Sequence, residues 1–372
     1  MLEIDWFLPT GGDSRDVLPG AGAHHRSPSH AYLAQLATAC DELGYHAVLT
    51  PCGTGCEDAW LATASLIPLT RRLKFLVAFR PALLTPTLAA QMASTYQRLS
   101  GGRLLVNIVT GAEPAELARF GVWEDKDTRY QRTAEFIQVM KGAWSAEPFD
   151  HEGTFFRVQG ASTREVPDPV PPIYFGGASA AAEQVAAEHV EVYLAWGEPP
   201  AMVAERVARM RARAAAAGRQ LRFGIRFHTI TRPTDAEAWA VADAMVAGMT
   251  PEAIAAAGAD FATTRSEGQR RMASLAHGGS VARDALEVHP NVWAGIGLVR
   301  GGAGTALVGC HEAVADRIAE YHALGFDAFI LSGYPHLEEA YWFGEGVLPL
   351  LRERGLVPPL ERSTRAQVFS FR

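Results

Sequence analysis

The chain has 372 residues, 48% of them hydrophobic and 20% charged, with a formal net charge of −7. These proportions exclude an extended disordered chain, and the acidic balance argues against nucleic acid or an anionic membrane as the main partner. No apolar run approaches the roughly eighteen residues of a membrane-crossing helix, and the start lacks the basic segment of a signal peptide, so a cytoplasmic location is expected.

Residues 3–9, 45–51, 73–80 and 103–109 are near-continuous runs rich in Val, Leu, Ile and Phe, as expected of parallel strands buried on both faces. Helical periodicity covers 31–43 and 87–99, and Gly44 and Gly101 stand where C-terminal caps belong. A charged helix over 128–144 and a hairpin over 149–158 interrupt the cycle. It resumes with strand 173–175, helix 180–188, strand 190–195, helix 200–217 and strand 221–231. Helix 311–324, strand 329–332 and helix 337–351 close it, and eight strands predict a (β/α)8 TIM barrel forming a single domain over 1–372. An open doubly wound sheet is the rival, but no Gly-x-Gly-x-x-Gly follows the first strand.

The stretch from about 250 to 308 does not fit the repeat and predicts a helical insertion. Within it, Gly295, Gly297, Gly301, Gly302 and Gly304 surround Arg300. So much glycine is costly to order, which points to a mobile lid carrying a cation, with a plain flexible surface loop as the alternative.

Functional groups of a parallel barrel gather just past the C-terminal ends of its strands. That filter selects Cys52, Cys56, Arg80, Asn107, Thr110, the turn Gly176-Gly177-Ala178-Ser179, Trp196, Arg226, His228, Ser332, Tyr334 and His336. Arg226 and His228 are two apart in one predicted strand and so share a face. A guanidinium buried there needs either an anion, whose oxygens its planar fork fits, or a structural carboxylate such as Glu57 or Asp58. The turn at Gly177 and Ser179 either cradles a phosphate or is glycine-rich for steric reasons. Asn107, polar within an apolar strand, needs a partner that a cofactor's heteroatoms can supply. Cys56, near a helix start, is either an activated thiolate or a packed thiol. His24, His25 and His30 read as loop or helix-entry residues without a special task. Cys40, Cys52, Cys56 and Cys310 are too scattered for a disulfide framework, and no ligand set has metal spacing, so no metal is predicted.

Several stretches together resemble the bacterial luciferase-like flavin-dependent monooxygenases, in the pattern of their FMNH2-dependent alkanesulfonate monooxygenase members. They are residues 7–10, 56–58 and 73–78, Asn107-Ile108-Val109-Thr110-Gly111, the Arg226/His228 pair, 293–309 and 331–341. The likeness runs from about residue 4 to about 351. It implies reduced FMN delivered by a separate NAD(P)H:FMN reductase, O2 as co-substrate, and cleavage of a small alkanesulfonate to aldehyde and sulfite. A sulfone, a biosynthetic heterocycle, or coenzyme F420-dependent oxidoreduction on the same scaffold are the alternatives, as is a barrel that only binds flavin or an anion. Carried over by position, Arg226, Arg300 and His228 resemble contacts to the substrate oxyanion and activated oxygen, and Tyr334 and His336 resemble proton-handling or substrate contacts. Cys56 and Trp196 resemble active-site walls. Asn107, Thr110, Tyr130, Gly177 and Ser179 resemble the FMN site, with Ser179 at the phosphate. Association through outer helices into a homodimer or homotetramer is expected. One departure stands out: the sulfonate enzymes carry a histidine where this chain has Gly11, so the difference falls on the substrate side.

Overall fold

The computed structural model describes residues 1–18, 25–111, 113–264 and 266–360; His24 and residues 361–372 of the expected domain lie outside the described residues. Eight strands form the closed barrel: Glu3–Phe7, Ala47–Thr50, Lys74–Phe79, Leu104–Ile108, Ile173–Gly176, Val192–Trp196, Arg222–Arg226 and Ala328–Ile330. Each runs parallel to the next in chain order, and the eighth returns to the first in the register Glu3 to Ala328. The (β/α)8 barrel predicted from the apolar runs is therefore the fold.

Side chains alternate along each strand, so Leu76 joins an inner cluster with Ala47, Leu105, Tyr174, Val192 and Ile330. Its neighbours Phe75 and Val77 point outward into the main core between barrel and helices. The helices begin and end where local chemistry allows. Ser29 caps His30–Leu43, which stops at Gly44 in the left-handed conformation, and Asp58 caps Ala59–Leu66.

Two segments differ from expectation. The run read as one strand over 221–231 is two strands in different sheets. Arg222–Arg226 ends its barrel pairing opposite Trp196 and Ile330, where both neighbouring strands stop. After Phe227 the chain stays extended as His228–Arg232 but pairs with Ala306–Cys310. A change of partner without a change of conformation leaves no trace in hydrophobic periodicity.

The stretch near 250–308 contains the expected helices, Pro251–Thr263 and Glu267–Leu275, but also Glu287–His289 and Val292–Trp293. Those two strands complete a four-stranded second sheet with His228–Arg232 and Ala306–Cys310. Helix Asp235–Ala247 packs its Trp239 and Ala242 with Ile230, Trp293 and Val308 of that sheet.

Much of the glycine-dense segment is tightly packed. Gly295–Leu298 is a buried 3-10 turn, and the Gly297 amide donates to the Gly304 carbonyl at 2.9 Å. A Cβ on Gly304 would lie 2.8 Å from the Gly297 Cα, so the bare Gly304 allows the two backbones to cross. Past this crossing, Arg300 is half-buried and Gly301 exposed.

Candidate active site

A cavity of about 650 Å³ opens at the C-terminal end of the barrel. Among its lining residues are Asn107, Thr110, Tyr130, Gly177, Ser179, Trp196, Arg226, His228 and Arg300. Nine of the expected site residues, drawn from three barrel strands, the loops after the fourth and fifth strands, a helix, the second sheet and the insertion, thus meet in one space. Cys56, Tyr334 and His336 do not line it. Tyr334 stands just behind, stacked on His228 with ring centroids 5.4 Å apart, while the Arg300 guanidinium lies 5.4 Å from the Tyr334 ring.

Charges at the opposite end of the barrel are paired: Glu3 meets Arg222 at 2.7 Å, and Asp5 meets His46 at 2.9 Å. The mouth is different. Among the described residues no carboxylate lies within 4.0 Å of Arg226 or Arg300. The structural bridge from Arg226 to Glu57 or Asp58 is not made, and Asp58 instead caps a helix through the Leu61 amide at 2.8 Å. Arg226 donates to the carbonyls of Phe227 and Ile330 and, at 2.8 Å, to Ser332 Oγ. Burial, reinforced by the nearby Arg300, presses Arg226 down to about 9, and burial brings Arg300 to about 10. Both remain charged at neutral pH, so the mouth holds two adjacent cations that an anion would satisfy.

The tautomer of His228 follows from its partners. Its Nε2 lies 3.0 Å from the Ala303 carbonyl, which only accepts, so Nε2 carries the hydrogen. Nδ1 must then accept from the Ser332 hydroxyl at 2.7 Å, and that hydroxyl oxygen accepts from Arg226. This relay ties the seventh barrel strand to the second sheet and to the backbone beside Arg300. Both ring nitrogens are thereby occupied.

Burial pushes His228 well below the usual imidazole range and also lowers His336. An unfolded chain then takes up protons more readily than the folded one. Their contribution to stability is full above about pH 6.5, the ordinary imidazole value, and declines as the pH falls below it, by up to about 1.4 kcal/mol per pH unit for each group. Urea unfolding at pH 7.0 and 5.5 should show this decline, and His228→Gln should reduce it; an unchanged midpoint in the parent protein would contradict the burial.

The other end of the cavity has a different chemistry. Ser179 caps helix Ala180–His189, its hydroxyl accepting from the Ala182 amide at 3.4 Å. Gly177 has φ +150, and a Cβ there would lie 2.5 Å from the Ala182 Cβ, so this turn closes onto the helix N-terminus only without a side chain. The amides and dipole of that terminus form a cradle for an anionic group. Beside the cradle, Thr110 Oγ1 is buried without a hydrogen-bond partner, and Asn107 of the adjacent fourth strand lines the cavity. Trp196 forms a side wall, covered by Gly268 of helix Glu267–Leu275, where a Cβ would meet its ring at 3.0 Å. Gln269 of the same helix accepts from the Gly302 amide at 2.8 Å, binding this cover to the Arg300 segment.

Cys56 precedes the helix that begins at Ala59, and burial raises its thiol, so the activated thiolate has no support. A Cβ at Gly11 would lie 2.8 Å from the Gly55 carbonyl oxygen. Gly11→His is therefore expected to displace the 53–56 turn, at about 1–3 kcal/mol of stability, rather than to restore an active-site imidazole. Thermal unfolding of that variant checks the point, and an unchanged Tm would refute it.

Other contributors were missed. Asp13 is 3% exposed and hydrogen-bonded to His336, a contact between residues 323 positions apart that no local pattern signals. Glu198, 1% exposed and lining the cavity, is held by Arg206 at 2.8 Å and Arg271 at 2.7 Å. Trp123, 81% exposed, stands among the lining residues as well.

Fold and cavity together define a (β/α)8 barrel with a cationic mouth facing a helix N-terminal cradle. The family model for luciferase-like monooxygenases matches residues 2–328, and the chain belongs to that family. Solved structures of several relatives share the fold. The crystal structure of riboflavin lyase (RcaE), with modified FMN and riboflavin, superposes with a TM-score of 0.79 at 24% identity, over 96% of this chain and 93% of that one. Long-chain alkane monooxygenase (LadA) gives a TM-score of 0.79 at 20% identity, over 97% and 93%. EDTA monooxygenase (EmoA) from Chelativorans sp. BNC1 gives 0.76 at 21% identity, over 96% and 95%. Among the described residues no helix is long and apolar enough to cross a membrane, and no cluster of three or more His, Cys, Asp or Glu has the arrangement of a metal site.

Proposed function

We propose that this protein is an FMNH2- and O2-dependent monooxygenase of a two-component system that converts a small alkanesulfonate to an aldehyde and sulfite. The observation that carries this reading is the pair of guanidiniums, Arg226 buried and Arg300 half-buried, lining one cavity without a carboxylate partner. Three sulfonate oxygens suit two forked donors approaching from different elements.

The residues present fit a flavin mononucleotide. The Gly177–Ser179 cradle would take its phosphate, and the orphaned Thr110 hydroxyl and Asn107 amide would meet ring heteroatoms within the cavity. Reduced FMN, when bound, supplies the electrons that activate O2, and a separate NAD(P)H:FMN reductase would deliver it. The chain's own part is electrostatic and spatial. Arg226, held by Ser332, marks the fixed side of the anion site, while Arg300 with the 299–302 stretch acts as a lid that closes on the substrate and excludes water. Thr110→Val should weaken FMN binding by roughly 2- to 10-fold, the worth of one neutral hydrogen bond. Quenching of tryptophan fluorescence during an FMN titration measures it, and undiminished affinity would remove Thr110 from the cofactor site.

The deciding experiment supplies the protein with FMNH2 from a generic reductase, oxygen, and a panel of sulfonates, sulfones and heterocycles. Sulfite release from at least one sulfonate is expected. A second reading keeps the flavin chemistry but places it on a heterocyclic substrate. It draws on the shared fold with riboflavin lyase and on Gly11 standing in place of the sulfonate enzymes' histidine. Hydroxylated or cleaved heterocycle without sulfite would favour that reading, and no product from any compound despite FMNH2 binding would defeat both.

A further inference from the structure

Glu198 carries one negative charge and receives two guanidiniums. Arg206, in helix Pro200–Ala216 on the outside of the barrel, donates through Nη2 to both carboxylate oxygens, at 2.8 and 3.0 Å. Arg271, in the covering helix Glu267–Leu275, donates through Nε to Oε1 at 2.7 Å and through Nη2 to Oε2 at 2.8 Å. A buried carboxylate needs a counter-charge, and the buried Arg206 already supplies it from within the barrel framework. The second guanidinium is not required for neutrality. Its forked contact fixes the place and the direction of the covering helix.

Two paths lead from Glu198 to the two cations of the mouth. On the first, the Gly197 amide donates to the Arg226 carbonyl at 2.9 Å, and the Tyr321 hydroxyl pins the Glu198 carbonyl at 2.8 Å. On the second, Gln269, two residues before Arg271, accepts from the Gly302 amide at 2.8 Å, two residues past Arg300. The Arg300 stretch leaves the buried 3-10 turn through its own amide, which donates to the Ile296 carbonyl at 3.1 Å. Beyond that point, among the described residues, Gln269 makes the hydrogen bond that holds the tip at 301–302. Arg226 and Arg300 are thus both referenced to one carboxylate residue, the first through backbone and the second through Arg271, Gln269 and Gly302.

We infer that Arg271 is a positioning residue for the anion site. Its pairing with Glu198 sets the covering helix, and through Gln269 and Gly302 it keeps Arg300 at a fixed separation from Arg226. Because Arg206 stays on Glu198, removing Arg271 loosens the cover without leaving the buried carboxylate unpaired. The effect on anion binding rests on the monooxygenase reading, in which Arg226 and Arg300 share one anion, but the tether itself does not.

The test uses the full chain and two readouts. Methanesulfonate binding to the FMN-loaded protein is measured by isothermal titration calorimetry, and hydrogen exchange of the Gly302 amide is measured without cofactor. Arg271→Met and Gln269→Leu should each weaken methanesulfonate binding by about 5- to 20-fold, the worth of one charge-assisted contact. FMN affinity should stay within about 2-fold of the parent's, as expected of a site with no shared partner. In an Arg300→Met background neither substitution should weaken the anion further, because both act through Arg300. Exchange at Gly302 should quicken by about 10-fold or more in both variants, while strand Arg222–Arg226 keeps its protection.

An equal loss of anion affinity with and without Arg300 would mark Arg271 as merely structural and overturn the inference. Unchanged Gly302 exchange in Arg271→Met overturns it as well. Should the parent protein bind no methanesulfonate, the anion-site reading fails, while Gly302 exchange still decides the tether. If Arg271→Met does not fold, Arg271→Lys, which keeps the charge but loses the fork, should show smaller changes of the same sign, and no change in it overturns the assignment.

Discussion

Arg300→Met is expected to lower kcat/KM for the anionic substrate by about 10²–10³-fold, the cost of losing a preorganised charge contact, while leaving the Tm of the free protein unchanged or higher. The two effects have one cause. Arg300 is a half-buried cation whose guanidinium lies 5.4 Å from the Tyr334 ring, with no carboxylate within 4.0 Å. Holding such a charge away from water opposes folding, and a methionine of similar length fills the space without that penalty. Arg226→Met makes the contrast. It should impair turnover comparably but also destabilise the fold by about 1–3 kcal/mol, because the Phe227 and Ile330 carbonyls and the Ser332 hydroxyl lose their donor. Steady-state kinetics and thermal unfolding of the two variants side by side test this. An Arg300→Met protein that melts several degrees lower, or keeps its kcat/KM, would show that Arg300 is a structural cation.

Gly177→Val should reduce FMN affinity by about 100-fold or more, the worth of two charge-assisted hydrogen bonds from the cradle. A Cβ there would come within 2.5 Å of the Ala182 Cβ in the first turn of helix Ala180–His189, and the φ of +150 is itself unfavourable for a branched residue. The turn must lift off the helix, so its amides no longer converge. The barrel beneath should suffer only the usual overpacking loss of about 1–3 kcal/mol. Binding measured by fluorescence titration, with circular dichroism to show that the barrel persists, separates cofactor loss from unfolding. Affinity equal to the parent's would mean that the phosphate sits elsewhere.

The barrel was legible because its signals are local. Runs such as 74–79 and 104–108 must be apolar on both faces in a closed parallel sheet, and the residues just past them fall at the C-terminal mouth in any arrangement of that fold. Asn107, Thr110, Trp196, Arg226 and His228 could therefore be picked out by position and polarity. The glycine-dense segment shows where such reasoning stops. Composition reports that Gly297 and Gly304 can adopt many conformations, but not that Gly304 must lack a side chain for the Gly297 backbone to pass.

By itself, then, the sequence determined the alternation of strands and helices, the closed barrel, and which polar groups stand at its mouth, because each depends on residues close together in the chain. Tertiary structure alone decided the partners of those groups. Whether Arg226 meets a carboxylate or Ser332, which nitrogen of His228 bears the hydrogen, and that Asp13 reaches His336 are matters of contacts between distant segments. Such contacts set charge and tautomer through burial and hydrogen bonding, and neither quantity exists until the chain has folded.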